Sequence, residues 1–185
     1  MIKLAFVDLE TTGVDPAKHG VLSIAGCIRA SGKEEFFHLR VKPFETDAVE
    51  VEALKVSGLD PKEGMCPKEA HGRLVEILGR YVDKYDKRDK LFFAAYNAQF
   101  DNAFLRRFFE KCGDKYFGSW FWHPPIDIMG AALLKLLDKR AGMENFKLAT
   151  VARTLGIDFD AEKAHGAEYD IKKAMEIFDK LEIVK

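Results

Sequence analysis

Apolar and polar positions along the chain sort into alternating segments near the start and helical stripes further on. Within residues 1–9, Ile2, Leu4 and Phe6 fall on one face and Ala5, Val7 and Leu9 on the other, the pattern of a strand covered on both sides. Residues 21–28 and 35–41 predict two more strands. Ser31-Gly32 supplies hairpin turn chemistry between them, so the first three strands are expected to run antiparallel. Asp47-Ala-Val-Glu50 has the spacing of a capping box and predicts a short helix with Asp47 as N-cap, stopping near Gly58. Pro67 suits a first helical turn, and Ala70, Leu74, Ile77, Leu78, Tyr81, Val82 and Tyr85 recur along one stripe. The unbroken apolar run 91–96, flanked by helices, predicts a buried parallel strand.

From there strand and helix alternate. Residues 100–112 predict a helix packing through Phe104, Leu105, Phe108, Phe109 and Cys112. The aromatic-rich stretch 116–125 reads as irregular and leads into a short strand at Ile126-Asp127-Ile128. Residues 129–137 predict a core helix ending in Lys139-Arg140, cations that suit a helix terminus. Leu148, Val151, Ala152 and Leu155 give a short helix closed by Gly156. The last helix carries the stripe Ile171, Ala174, Met175, Phe178 and Leu181.

A chain of 185 residues, 48% hydrophobic, is expected to form one domain spanning 1–185 around a single core. The 29 basic and 30 acidic side chains nearly cancel, which excludes a global basic field and makes any phosphate contact local. Cys27, Cys66 and Cys112 have no metal-ligand spacing and no secretory segment before them. They read as reduced thiols of a soluble, cytoplasmic protein, and no apolar run has the length of a membrane span.

Four carboxylates change the picture. Asp8 and Glu10 point the same way from one strand, where side chains alternate. Such a pair either faces water or shares a cation. Asp101 lies within the arc of an apolar helix face, where it is either a satisfied first-turn anion or a ligand. Asp170 lies within the buried arc of the last helix. Burying four anions together is prohibitive without cations, and two Mg²⁺ or Mn²⁺ ions, which prefer oxygen ligands, would neutralise them. Two-metal sites serve in-line displacement at phosphorus, so phosphodiester hydrolysis fits this set best. His165 lies five residues before Asp170 on the loop entering the last helix. It reads either as a surface histidine or as a general base, the titration range of imidazole suiting the latter.

Asp8-Leu-Glu10-Thr-Thr-Gly13, Asn97-Ala-Gln-Phe-Asp101 and His165-x-x-x-x-Asp170, in this order, resemble the motifs of the DEDD exonucleases, in their histidine-containing, DnaQ-like branch. That family includes polymerase proofreading subunits, ribonuclease T and three-prime repair exonucleases. The resemblance covers nearly the whole chain. It implies an α/β, ribonuclease H-like fold with a five-stranded mixed sheet flanked by helices on both faces, and a metal-dependent 3′→5′ exonuclease releasing nucleoside 5′-monophosphates. It implies that Asp8, Glu10 and Asp170 hold one metal, that Asp8 and Asp101 serve the second, and that His165 is the base. It further implies that backbone amides around Thr11 and Thr12, with Gly13, receive the 3′ terminus and that Asn97 positions the strand. Val56-Ser-Gly-Leu59 resembles the family's substrate-end segment, with Ser57 departing from its usual Thr or His.

The expected substrate is single-stranded DNA or RNA with a free 3′ end, DNA somewhat favoured. Phe100 and Trp120-Phe-Trp122 are the expected base stackers, since most other phenylalanines lie on core stripes. A non-catalytic nucleic-acid-binding scaffold, an RNA-trimming enzyme and a proofreading subunit are the alternatives. The intact five-residue set argues against the first. The fifteen residues after Asp170 finish one helix and leave no tail to tether a polymerase.

Overall fold

The computed structural model describes residues 2–161 and 166–182. Its sheet is built on β1 (Leu4–Thr11), which pairs antiparallel with β2 (Val21–Ala30), itself antiparallel to β3 (Lys33–Arg40). Ser31 and Gly32 make the connecting turn with φ of 53° and 74°, the two left-handed residues that a two-residue hairpin of matching twist requires. On its other side β1 runs parallel to β4 (Phe92–Ala95), and β4 parallel to β5 (Ile126–Asp127). The strand order β3-β2-β1-β4-β5 makes a five-stranded mixed sheet with β1 at its centre, as the double-sided apolar pattern of that strand requires.

Helices cover both faces. Ala5, Val7 and Leu9 point into the layer formed by α2 (Pro67–Gly79) and α3 (Ala98–Lys111), where Leu74, Leu78, Phe104, Leu105 and Phe109 are buried. Leu4 and Phe6 point into the opposite layer, formed by α5 (Ile128–Lys135), α6 (Leu148–Thr154) and α7 (Ala167–Lys180). Two more helices are short: α1 (Val51–Ser57), closed by left-handed Gly58, and α4 (Phe117–Trp120). Among the described residues no helix is long and apolar enough to cross a membrane.

Several expectations are corrected. α1 starts at Val51, with Glu50 as its N-cap, and Asp47 does not cap it. The Asp47 carboxylate is instead buried under the loop before α1. It accepts from the Phe44 amide at 2.9 Å and pairs with Lys111 of α3, its side chain only 1% exposed. α2 stops at Gly79, so Tyr85 leaves the stripe and is exposed. In α5 Ile128, Ala132 and the following Leu136, spaced by four, are the fully buried residues, while Leu134 and Leu137 point outwards. The stretch 116–125 is not wholly irregular: α4 buries Phe117 and Trp120, and Phe121 bridges to Leu91 at the start of β4.

Removing the lysine of the Asp47–Lys111 pair strands a buried carboxylate. Lys111→Ala is expected to lower the free energy of unfolding by about 3–5 kcal/mol, measured by urea denaturation, and an unchanged midpoint would show the pair to be dispensable.

Candidate active site

The site forms where β4 ends early. β4 pairs with β1 only over Leu4, Ala5 and Phe6, so the edge of β1 beyond them has no strand beside it. The chain leaves β4 through Asn97, whose left-handed φ of 71° is one that asparagine tolerates, and turns at once into α3. The first amide of α3, at Ala98, donates to Asp127 Oδ1 of β5 at 3.2 Å. That bond fixes where α3 begins and so places Asp101 one turn later. Asp101, 4% exposed, accepts from the Leu9 amide at 3.0 Å through Oδ1.

Asp8 and Glu10 lie on the opposite face from Leu9, towards α7, whose fourth residue is Asp170. The carboxylates feel one another. Burial first, then the charges of Glu10 and Asp170, push the Asp8 pKa up to about 7. Burial and then Asp8 hold the Asp101 carboxyl well above the usual carboxylate range, against the downward pull of the Leu9 amide. Four acids from three elements thus converge on the C-terminal end of β1. Among the described residues no three His, Cys, Asp or Glu side chains are grouped so that they could hold a metal ion between them. Magnesium does not call for such a group, since it is held by one or two carboxylates, waters and substrate phosphate. His165 lies outside the described residues.

Beside Glu10 a cleft of about 330 Å³ opens between β1 and α1, walled by Thr11, Gly13, Val14, Ala53, Val56 and Phe100. Phe100 is half-buried, its ring 4.8 Å from that of Phe104, and it presents its free side to the cleft. Of the other expected stackers, Trp120 and Phe121 are core residues. Trp122 packs on Phe92 at the N-terminal end of β4, the wrong end of the sheet for this cleft. A larger hollow of about 590 Å³ beside Tyr85 and Trp120 also lies at that far end and touches none of the four carboxylates. Asn97 is exposed at the turn into α3.

The Thr11-Thr12-Gly13 edge is shaped by bonds within the protein. A register shift between Glu10 and Thr11 bends the end of β1. The Thr11 hydroxyl donates to Gly13 O at 2.7 Å. Thr12 is wholly buried, its amide donating to Gly20 O at 2.9 Å and its hydroxyl to Ala48 O at 2.6 Å, so neither group is available to a nucleotide. Gly13 is needed because a Cβ there would stand 2.5 Å from the His19 ring. His19 is the buried hub of this edge. Its Nδ1 accepts from the Asp15 amide at 3.0 Å, which leaves Nε2 to donate to Glu50 at the rim of the cleft, 3.0 Å away. Glu50 is distant from it in sequence, and no periodic signal marks it.

A model of the exonuclease family (RNase_T) matches residues 5–178. Ribonuclease T of Shewanella sp. strain ANA-3 is 28% identical over 182 residues, 93% of this chain and 78% of that protein. Ribonuclease T of Yersinia enterocolitica is 28% identical over 184 residues, 95% and 82% of the two. Escherichia coli exonuclease I, solved in complex with a dT13 oligonucleotide, superposes with a TM-score of 0.75 at 20% identity over 98% of this chain. The chain spans only 41% of that protein's length, and at such identity the likeness speaks to the fold, which is the expected ribonuclease H-like one. The chain belongs to the exonuclease family, whose DnaQ-like, histidine-containing DEDD branch comprises 3′→5′ exonucleases.

Proposed function

We propose that this chain removes mononucleotides one at a time from the free 3′ end of single-stranded nucleic acid, using Asp8, Glu10, Asp101 and Asp170 to hold two divalent cations, Mg²⁺ or Mn²⁺. The observation that carries this reading is the gathering of four carboxylates at the buried end of β1, where burial first and then the charges of Glu10 and Asp170 push the Asp8 pKa up to about 7, and burial and Asp8 raise Asp101. A hard-oxygen donor set of that charge suits hard divalent cations such as these. When bound, they neutralise the cluster and stabilise the attacking and leaving oxygens of an in-line displacement at phosphorus.

The chain's own residues do the rest. Asp101 keeps the end of β1 in place through the Leu9 amide and adds its charge to that of Asp8. Phe100, Val14 and Val56 form an apolar wall against which an unpaired terminal base can stack, which is why a single-stranded end suits the cleft better than a duplex. Thr11 and Gly13 line the floor of that cleft, while Thr12 serves it only by anchoring them. Asn97, exposed one residue before α3, contacts the strand as it leaves the cleft. His165, placed by its spacing from Asp170 in the sequence, takes the proton of the attacking water. A non-catalytic scaffold would have no use for a charge cluster that opposes its own folding.

A matched digestion of 5′-labelled deoxy- and ribo-oligonucleotides with Mg²⁺, Mn²⁺ or chelator tests the activity and measures which sugar the site prefers. The expected result is a ladder that shortens from the 3′ end and vanishes with chelator, whereas internal cuts or metal-independent cleavage would sink the reading. His165→Ala is expected to lower kcat by roughly 10²–10⁴ with the thermal midpoint unchanged, and full activity in that variant would remove His165 from the mechanism.

A third test is electrostatic. Asp8 binds its proton more tightly in the fold, with a pKa of about 7 against an ordinary 3.8. Stability present below the lower value is therefore lost as pH rises through the higher one. In chelator, the thermal midpoint should fall between about pH 4 and pH 7. Asp8→Asn should flatten that fall and raise the midpoint at pH 8 while abolishing cleavage. Equal slopes for parent and variant would show that Asp8 is not the strained acid.

A further inference from the structure

α7 starts without a side-chain cap. Its N-cap is Gly166, which supplies no side-chain bond to the first-turn amides. The first-turn amides of such a helix end have no side-chain acceptor at the cap, so packing neighbours contribute to its position. Asp170 sits in that turn, its amide donating to Gly166 O at 2.9 Å, and its carboxylate faces the charge of Asp8. The position of this turn therefore sets how close the two carboxylates stand.

The neighbouring residue carries an anchor. Tyr169 Oη accepts from the Asp160 amide at 2.6 Å. Its ring meets that of Phe159 edge-on, centroids 5.4 Å apart at 74°. Arg153 of α6 lies over Phe159 at 5.6 Å, and Lys173 of α7 over Tyr169 at 5.3 Å. The row Arg153, Phe159, Tyr169, Lys173 thus ties α6 and the segment after it to the first turn of α7. Tyr169 and Asp170 are 100° apart around the helix, so the ring grips α7 from the side while the carboxylate is directed at the sheet.

We propose that Tyr169 is a positioning residue for Asp170: locked to Asp160 and Phe159, it holds the uncapped first turn of α7 so that the Asp170 carboxylate stays beside Asp8 and Glu10. This rests on the reading of Asp170 as a cation ligand. Tyr169 touches neither substrate nor cation. Its effect is on how closely the carboxylate is held, so it governs metal affinity rather than nucleotide binding.

Calorimetric titration of Mn²⁺ into the full chain without nucleic acid, combined with kinetics on a labelled oligonucleotide, separates these roles. Tyr169→Phe keeps the ring and loses the phenol oxygen. It is expected to weaken Mn²⁺ binding about threefold to tenfold, the worth of one hydrogen bond. The kcat at limiting Mn²⁺ should fall by the same factor and recover at saturating Mn²⁺, with KM for the oligonucleotide unchanged. Unaltered Mn²⁺ affinity, or a loss of kcat that saturating Mn²⁺ does not restore, would overturn the assignment. Asp170→Asn in the same titration keeps the two readings apart. If it binds Mn²⁺ as the parent does, the ligand role of Asp170 fails; if it loses binding while Tyr169→Phe does not, only the anchoring role fails.

Discussion

Where β4 stops, the amide of Leu9 loses the partner that a longer strand would have offered, and the carboxylate of Asp101 accepts from it instead. Much of the site's geometry descends from that substitution of a side chain for a strand. It lets a helix begin beside the middle of the sheet, it brings an acid to the edge of β1, and it leaves room at the end of that strand for something other than protein. Asp127, by accepting from the first amide of α3, sets the start of the helix from the neighbouring strand. Two hydrogen bonds, one from each side, therefore decide where Asp101 stands.

The same arrangement sets stability against function. Carboxylates gathered at a buried strand end raise one another's pKa, and the protein bears that repulsion in every molecule whose acids are ionised. The surrounding structure is correspondingly stiff. Thr12 is engaged by four separate bonds, His19 is locked between the Asp15 amide and Glu50, and Asp47 is buried against Lys111. These polar groups make the bend after Glu10 rigid without contributing any chemistry of their own.

Most of the fold was legible in the chain because its elements obey simple periods. The double-sided pattern of β1 marks the centre of the sheet, Ser31-Gly32 marks the hairpin, and Gly58 and Gly156 mark helix ends. The convergence of Asp8, Glu10, Asp101 and Asp170 was also legible, since each breaks an apolar pattern. What stayed hidden depends on partners far apart in sequence. Asp47 has the spacing of a capping residue, yet Lys111 and the Phe44 amide draw it elsewhere. The amides of the Thr-Thr-Gly edge look free in the sequence, but Gly20 claims that of Thr12. Trp120 and Phe121 have the character of stacking residues and are taken by the core, because Leu91 and Phe121 extend the sheet beneath them. The leucines of α5 show the converse: a helix of eight residues has only one face to bury, whatever its composition.

The two helical layers are separate bodies of apolar packing, one on each face of the sheet, and the acids are divided between them. Asp101 travels with α3 and Asp170 with α7, while Asp8 and Glu10 belong to the strand between. Partial opening of the protein, in which one layer loosens while the other stays docked, takes one carboxylate out of the cluster and leaves the remaining ones repelling one another. A molecule with one layer loosened therefore no longer holds the four carboxylates together: division of the acids across the sheet makes their assembly depend on the whole fold rather than on either layer.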